Sequence, residues 1–283
     1  MSDLSRPRRS ALYLPASNAR AVEKAKTLDC DVVILDLEDA VAPDMKVEAR
    51  AAAVAAVESR SFGHRELIVR INGFGTPWMD DDMAAIVAAK PDGVQVPKID
   101  TPQQAADAVR MAKGLPLWAM IESPRAVLAA GDIAGVDGVF SIVGGLADLA
   151  KDLKATPGPD RFEMMYAIQA ILVAARAHGR IGLDGVHTDI HDLEGLARAA
   201  AQGAAMGYDG KTVVHPSHIE AANRAFTPSD QAIEDARGLL AAHEAAQTEG
   251  RGVTTFKGKM VEVLHVAEAK RMLAFAEAIA SRG

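Results

Sequence analysis

Cysteine and aromatic residues are scarce in this chain. Its 283 residues include one cysteine, Cys30, and only 4% aromatic side chains. A single cysteine excludes an intrachain disulfide and leaves no cysteine set for a structural zinc site, so a reducing compartment such as the cytoplasm is expected. Cys30 precedes an apolar run, which predicts a buried, unreactive thiol. No run approaches the roughly 20 apolar residues of a membrane span, and we expect neither a span nor a signal peptide.

Positive charge is also in deficit. There are 31 Lys and Arg residues against 38 Asp and Glu residues, which gives a formal net charge of −7. This balance argues against nucleic acid and anionic membranes as partners. An anionic ligand would have to meet a local basic cluster or a metal ion. Hydrophobic residues make up 49% of the chain, enough for a sizeable core built mostly from aliphatic side chains.

Short apolar runs alternate with helical patterns up to about residue 227. Such alternation is typical of β–α–β units, and about eight of them are needed to close a (β/α)8 barrel. We therefore predict an α/β fold of the TIM-barrel type over residues 1–227. The predicted strands lie near residues 10–14, 31–36, 66–71, 93–97, 116–121, 138–143, 183–186 and 211–214.

The alternation stops after the eighth predicted strand. Pro228-Ser229-Asp230 is a helix-start pattern, and the helical pattern then continues to about residue 247. A glycine-containing link at 249–252, a short extended piece at 253–256 and a final helix follow. Because the barrel is already complete, we predict that residues 228–283 form a helical extension that serves as a lid or as an oligomer contact.

Two carboxylates follow successive predicted strands. Glu122 comes directly after Leu117–Ile121, and Asp148 follows the next apolar run. The carboxyl ends of barrel strands meet at one mouth, so we expect the two side chains to converge there. Two hard oxygen ligands with open positions beside them suit Mg²⁺ or Mn²⁺. The alternative is structural: Glu122 would cap the next helix, and Asp148 would lie in a solvated loop.

Basic side chains also occur at predicted strand ends. Arg70 interrupts an otherwise apolar strand, where a charge is rarely placed without a partner. A guanidinium group suits the carboxylate of a small acid substrate, and the alternative is a structural ion pair with Asp36 or Glu38. Lys98 follows another strand and is a second candidate for substrate binding, although lysine side chains often extend away from such a position.

An acidic run, Asp36, Glu38 and Asp39, ends the second predicted strand. Alternation along an extended chain would place Asp36 and Glu38 on one side and Asp39 on the other. One interpretation is helix capping or pairing with Lys46 and Arg50. The other is a supporting role in the site, in which these carboxylates accept hydrogen bonds from metal-bound water or orient the neighbouring arginine.

Taken together, these segments resemble the citrate lyase beta-subunit group of the HpcH/HpaI aldolase family, which includes malyl-CoA lyase, citramalyl-CoA lyase and malyl-CoA thioesterase. The resemblance extends from Arg9 to about Leu273. The segments that carry it are Arg9-Ser10-Ala11-Leu12-Tyr13-Leu14-Pro15, Asp36-Leu37-Glu38-Asp39-Ala40-Val41, Val69-Arg70-Ile71-Asn72, Val96-Pro97-Lys98, Ile121-Glu122-Ser123-Pro124, Gly145-Leu146-Ala147-Asp148-Leu149, Gly210-Lys211-Thr212-Val213-Val214-His215-Pro216 and Gly258-Lys259-Met260-Val261.

The resemblance implies a Mg²⁺-dependent enzyme whose substrate is a 3-hydroxy-3-carboxyalkyl-CoA thioester. It implies a (β/α)8 barrel assembled into homotrimers or hexamers. Glu122 and Asp148 fall on the metal-ligand positions of the family, and Arg70 falls on the position that holds the oxo acid. The tail of one subunit would cover the mouth of its neighbour and supply the carboxylate of Glu262. Apart from the resemblance, we expect basic residues near the N-terminus, Arg8 and Arg9 among them, to meet the CoA phosphates on this otherwise acidic protein.

The chain departs from the family pattern at three positions. Ala16 and Ala147 replace a usual glycine and glutamate, and Glu262 stands where the tail usually has an aspartate within Met-Val-Asp-x-Pro. The extra methylene displaces the acid, and a misplacement of about 1 Å can cost on the order of 10²-fold in rate. Glu262 therefore works in a reshaped lid, favours hydrolysis over cleavage, or has no catalytic role.

We expect an acyl-CoA carbon–carbon lyase that cleaves a malyl-CoA-like thioester to acetyl-CoA and an oxo acid. The alternatives are a malyl-CoA thioesterase with the same site, a citrate lyase subunit active only in a complex with an acyl carrier, and a pyruvate-type aldolase of free acids. The candidate residues are Glu262, Arg70, Asp36, Glu38 and Asp39 for catalysis, Arg70, Lys98 and Arg9 for substrate binding, and Glu122 and Asp148 for the metal.

Overall fold

The computed structural model describes residues 5–248 and 254–282. Its contacts divide the chain into two compact units. One comprises residues 8–226, and the other comprises residues 5–7 together with the described part of 227–282. Within the described residues, no helix is both long enough and apolar enough to cross a membrane.

The larger unit is a closed barrel of eight parallel strands in chain order, with β8 paired to β1. The predicted (β/α)8 fold is therefore confirmed. The strands are β1 Ser10–Pro15, β2 Val32–Asp36, β3 Glu66–Arg70, β4 Gly93–Val96, β5 Leu117–Ile121, β6 Val139–Gly144, β7 Ile181–Asp184 and β8 Gly210–Val213.

Helices follow the strands and surround the barrel. Their starts show the expected chemistry: the Thr101 and Ser123 hydroxyls accept hydrogen bonds from backbone N–H groups of the next turn, and a proline occupies the first helical position after each. The helices are α1 Ala19–Ala25, α2 Lys46–Glu58, α3 Met79–Ala89, α4 Pro102–Met111, α5 Pro124–Leu128, α6 Ala130–Ala134, α7 Leu146–Leu153, α8 Met165–Ala177, α9 Leu193–Met206 and α10 Ile219–Phe226.

The core of the larger unit has two layers, and most of their side chains are aliphatic. The larger layer lies between the strands and the helices and includes Cys30, which is fully buried. Burial raises the pKa of its thiol to about 11, in line with the unreactive thiol expected from the sequence. The smaller layer fills the barrel interior, where Tyr13, Trp118 and Met120 are its larger members.

The smaller unit contains two long helices and a two-stranded sheet. Helix α11 spans Asp230–Thr248, and α12 spans Val263–Ala280. Between them, β9 (Thr254–Phe256) and β10 (Lys259–Val261) pair in antiparallel fashion. The predicted glycine-containing link at 249–252 lies outside the described residues. The lid or oligomer role of residues 228–283 stays a prediction.

Helix α7 was not expected from the sequence. Its eight residues, Leu146–Leu153, are too few to show a clear periodicity, and they follow the glycine pair at the end of β6. Asp148 consequently lies in the first helical turn rather than in a solvated loop. A carboxylate at that position is favoured by the helix dipole.

Candidate active site

A cavity of about 470 Å³ opens at the carboxyl ends of the barrel strands. It brings together five side chains that the sequence singled out, from three strand ends and from α7. Its lining comprises Tyr13, Leu14, Pro15, Asp36, Asp39, Ala40, Arg70, Met120, Glu122, Gly144, Gly145, Leu146, Ala147, Asp148, Val186 and Val214. The predicted convergence of charged groups at one mouth is therefore present in the fold.

Arg70 is held by Asp36 in a two-pronged ion pair. Its Nε lies 2.7 Å from Oδ1 of Asp36, and its Nη2 lies 2.5 Å from Oδ2. The same carboxylate accepts the backbone N–H groups of Glu38 and Ala40 at 2.9 and 3.1 Å. The guanidinium carbon of Arg70 lies 4.8 Å from the centre of the Tyr13 ring. Asp36 and Tyr13 thus orient Arg70. Its Nη1 atom faces Glu38 and Asp39.

Glu38 bridges two cations. Its Oε2 lies 3.1 Å from Nη1 of Arg70, and its Oε1 accepts a hydrogen bond from Nζ of Lys98 at 2.7 Å. Burial raises the pKa of the Glu38 carboxyl. Lys98 is not itself among the residues that line the cavity, and its ammonium group contacts the Glu38 carboxylate.

The sequence predicted that Asp39 would lie on the opposite side of the chain from Asp36 and Glu38, and this prediction is wrong. It lines the cavity and lies 3.9 Å from Arg70 and 4.0 Å from Lys98. Strand β2 ends at Asp36, so the chain that follows is no longer extended and the alternation of side chains does not apply there. The basic residues proposed as structural partners are engaged elsewhere: Lys46 donates to the carbonyl groups of Leu37 and Glu38, and Arg50 pairs with Asp82.

Glu122 directly follows β5 and is only 3% exposed. Its Oε1 accepts the backbone N–H of Lys98 at 2.7 Å. Ser123, not Glu122, caps α5, so the capping alternative does not describe Glu122. Burial, and then the nearby Glu38 carboxylate, raise the pKa of Glu122 to about 8.

Gly145 makes room for the Glu122 side chain. A Cβ placed on Gly145 would lie 2.4 Å from Cβ of Glu122 and 2.8 Å from its Oε2. No other residue type fits this contact without a shift of one of the two chains. In the sequence, Gly145 stands out only as part of the Gly145–Leu149 segment, which gives no indication of its steric role.

Glu122 and Asp148 both lie on the cavity lining, and their carboxylate oxygens are the ligand type that a hard divalent cation prefers. The cations that act on the buried Glu122 carboxylate are Lys98 and Arg70. Among the described residues, no set of three or more His, Cys, Asp or Glu side chains is arranged to hold a metal. An ion on these two ligands would keep positions open for water and substrate.

Arg9 is not at this mouth. It lies directly before β1, at the amino end of the strands, is 7% exposed, and forms an ion pair with Asp31 at 2.9 Å. Arg8 is 1% exposed and pairs with Glu66 in the same way. Both side chains are buried at the amino end of the barrel, opposite the cavity, so Arg9 is not placed to bind a ligand in that cavity and the expectation for it is corrected.

Glu262 belongs to the smaller unit. It is exposed and directly precedes α12, where its backbone N–H donates to Nδ1 of His265 at 3.0 Å. This contact ties Glu262 to the helix start, which is compatible with a structural role. Its catalytic assignment stays a prediction.

The family model described as HpcH/HpaI aldolase/citrate lyase matches residues 9–216. A (3S)-malyl-CoA thioesterase of Cereibacter sphaeroides is 43% identical over 281 residues, covering 99% of this chain and 99% of the relative. An L-malyl-CoA/beta-methylmalyl-CoA lyase of the same species is 33% identical over 311 residues, covering 98% and 97%.

Among solved structures, CitE from Mycobacterium tuberculosis in complex with magnesium, acetoacetate and coenzyme A is similar with a TM-score of 0.79. It is 32% identical in sequence, and the match covers 96% of this chain and 99% of the CitE chain. The family model spans all eight barrel strands, and the relatives match the chain over nearly its full length. The chain therefore belongs to the HpcH/HpaI aldolase/citrate lyase family of enzymes.

Proposed function

We propose that this chain is a Mg²⁺-dependent enzyme that acts on a malyl-CoA-like thioester, a 3-hydroxy-3-carboxyacyl-CoA. The observation that carries the proposal is the shared cavity, where Glu122 and Asp148 lie with a buried, oriented arginine, Arg70. A paired carboxylate site and a guanidinium group are what a hydroxy acid needs for recognition. The CitE structure that contains magnesium, acetoacetate and coenzyme A supports this choice of ligands.

The residues have distinct parts in this proposal. Glu122 and Asp148 hold the cation, which when bound supplies Lewis-acid polarisation of substrate oxygens. Arg70, fixed by Asp36, binds the substrate carboxylate through its Nη1 side. Glu38 and Asp39 keep Arg70 in place and hold Lys98 beside it. Manganese is an alternative ion, since the same oxygen ligands suit it.

Thioester hydrolysis is the reaction that we place first. The thioesterase relatives are 43% identical to this chain, whereas the malyl-CoA lyases are 33% identical. In hydrolysis the oxygen of water adds to the thioester carbonyl carbon, the carbon–sulfur bond breaks, and the CoA sulfur takes up a proton. Glu262 is our candidate for the proton transfer, as a general acid or base.

Carbon–carbon cleavage is the second candidate, and the lyase relatives favour it. Here the substrate hydroxyl loses its proton to water and the Cα–Cβ bond breaks. The hydroxyl-bearing carbon leaves as an oxo acid, and the thioester enolate takes up one proton to become acetyl-CoA, so that no net proton is gained or lost. Glu262 would donate that proton. Arg70 would hold the oxo acid as it forms, because the carboxylate that it binds is unchanged in the reaction.

The deciding experiment is incubation of the purified protein with (S)-malyl-CoA and Mg²⁺, with and without EDTA, followed by mass spectrometry of the products. Malate and free CoA establish hydrolysis, and acetyl-CoA with glyoxylate establishes cleavage. Absence of EDTA-sensitive turnover contradicts both and favours the citrate lyase subunit, which should be inactive on free CoA esters without an acyl-carrier partner.

The assembly is also a proposal. We infer that the chain forms a homotrimer or hexamer and that residues 228–283 act as a lid that contributes Glu262. Glu262 is exposed and lies between the hairpin and α12, which supports this proposal. Light scattering measures the assembly, and Glu262→Gln tests the acid: turnover should fall while Mg²⁺ affinity stays the same. Unchanged turnover would remove Glu262 from the catalytic set.

A further inference from the structure

Lys98 has an unusual backbone conformation for its place in the fold. Its φ angle is +54°, in the left-handed region that disfavours every residue with a Cβ. Lys90 and Lys154 are also left-handed, but they end helices α3 and α7, where this conformation is a common stop. Lys98 instead follows strand β4, so helix termination does not explain its conformation.

The contact made by this backbone explains it better. The N–H of Lys98 points across to the end of β5 and donates to Oε1 of Glu122 at 2.7 Å. On the other side, Gly145 packs against Cβ and Oε2 of the same carboxylate. Glu122 is therefore held between a backbone donor and a glycine, and neither contact depends on a flexible side chain.

The side chain of Lys98 has a different contact. Its Nζ lies 2.7 Å from Oε1 of Glu38, and the lysine side chain is 53% exposed. A half-exposed ion pair is screened by water and contributes little to the position of its partners. The backbone N–H, directed at a carboxylate that is 3% exposed, is the stronger constraint on Glu122.

We infer that Lys98 is a positioning residue whose left-handed backbone, rather than its ammonium group, sets the orientation of Glu122 for divalent metal binding. The inference rests on the proposed metal role of Glu122. It reassigns Lys98, which the sequence suggested as a substrate-binding side chain. Hydrogen bonds to a metal ligand commonly change metal affinity by about 10- to 100-fold when they are lost.

The test compares substitutions that differ in backbone preference but share the loss of charge. Lys98→Gly and Lys98→Asn tolerate the left-handed region, whereas Lys98→Val does not. Mn²⁺ affinity of the apoprotein, measured by electron paramagnetic resonance, should fall about 10- to 100-fold in Lys98→Val. It should stay within about threefold of the parent in the other two, because their backbone keeps the N–H in place.

Two controls complete the design. Lys90→Val places the same strain at an exposed helix end at the amino side of β4, and Mn²⁺ affinity should be unchanged there. Lys98→Thr is a second β-branched variant in case Lys98→Val does not fold. Equal weakening in all the Lys98 variants would assign the effect to the ammonium group and overturn the inference, as would no weakening in any.

Glu122→Gln separates this inference from the proposed function. If that variant loses Mn²⁺ binding while Lys98→Val keeps it, the metal site stands and the positioning role falls. If Glu122→Gln binds Mn²⁺ like the parent, the metal assignment of Glu122 falls, and the positioning role falls with it.

Discussion

Glu122 is a carboxylate held where its charge is unfavourable. Burial and the neighbouring Glu38 carboxylate raise its pKa to about 8 from a normal value of 4.5. The folded protein therefore binds a proton at Glu122 more tightly than the unfolded chain does. Stability from this group is present below about pH 4.5 and is lost as pH rises through about 8 in the absence of metal.

A neutral replacement should accordingly stabilise the fold and abolish function. At pH 8 in EDTA, we expect Glu122→Gln to raise the free energy of unfolding by on the order of 1–3 kcal/mol, and metal-dependent turnover to be lost. The gain should shrink as pH falls toward 4.5, where the parent carboxyl is protonated as well. Thermal unfolding across this pH range is the measurement. A lower melting temperature of Glu122→Gln at pH 8 would contradict the argument.

Gly145 should be as sensitive to substitution as the ligand beside it. The Cβ of Gly145→Ala would lie 2.4 Å from Cβ of Glu122, so the carboxylate must move. We expect Mn²⁺ affinity to fall about 10- to 100-fold, as when a group that supports a metal ligand is lost. Isothermal titration with Mn²⁺ measures the change.

Gly131→Ala is the matched control, since nothing lies within 4 Å of its added Cβ. Gly131 lies in α6, where alanine should stabilise the helix by roughly 0.5–1 kcal/mol and leave Mn²⁺ affinity alone. Equal affinities for Gly145→Ala and Gly131→Ala would show that Glu122 does not depend on the space beside it.

At this scale the sequence indicates types of residue better than contacts. Glu122, Asp148 and Arg70 were identified because each follows or ends a strand, and parallel strands bring such positions together. The sequence did not indicate the left-handed backbone of Lys98 or the steric role of Gly145, because both depend on atoms of residues that are distant in the chain. Arg9 was misplaced because the pattern marks a charge beside a strand but does not distinguish which end faces the substrate.

Among the elements, the start of α12 has an uncommon partner for its first N–H groups. His265, the third residue of α12, accepts the N–H of Glu262 through Nδ1 at 3.0 Å. Glutamate or glutamine usually has this position in a capping box. The contact fixes the ring tautomer with the proton on Nε2.

Two substitutions of similar size should separate this contact from packing. Asparagine keeps an acceptor near the position of Nδ1, and leucine does not. We expect His265→Leu to lower the free energy of unfolding by about 0.5–1 kcal/mol and His265→Asn to lower it by less. Urea unfolding monitored by circular dichroism measures the difference. Equal losses would show that the ring contributes through packing alone.

The barrel strands were predictable because each is an apolar run in a regular alternation, whereas helix α7 and strand β10 were not. The eight barrel strands lie within a few residues of the predicted spans. Helix α7 and strand β10 were missed because eight and three residues carry too little pattern, and both follow a glycine that reads as a turn.

For the whole molecule, closure of the barrel depends on one glycine. A Cβ on Gly210, the first residue of β8, would lie 1.8 Å from the carbonyl oxygen of Arg8 just before β1. The pairing of β8 with β1 leaves no room for a side chain there. The alternation of strands predicted a barrel, but only the structure shows which residue permits the last strand to pair with the first.

Replacement of this glycine should act on the entire fold. We expect Gly210→Ala to destabilise the protein by more than about 4 kcal/mol, or to prevent accumulation of folded protein, because backbone would have to separate at the closing pair. Differential scanning calorimetry, with Gly131→Ala as the reference, is the measurement. A melting temperature within a degree or two of the parent would mean that β8 can shift without loss of pairing.

The carboxylates at the barrel mouth outnumber the cations that face them. Asp36, Glu38, Asp39, Glu122 and Asp148 share that end with Arg70 and Lys98. The proposed substrate, with a carboxylate and CoA phosphates, would be repelled by this excess until a divalent ion reduces it. We therefore expect the ion to bind before the thioester.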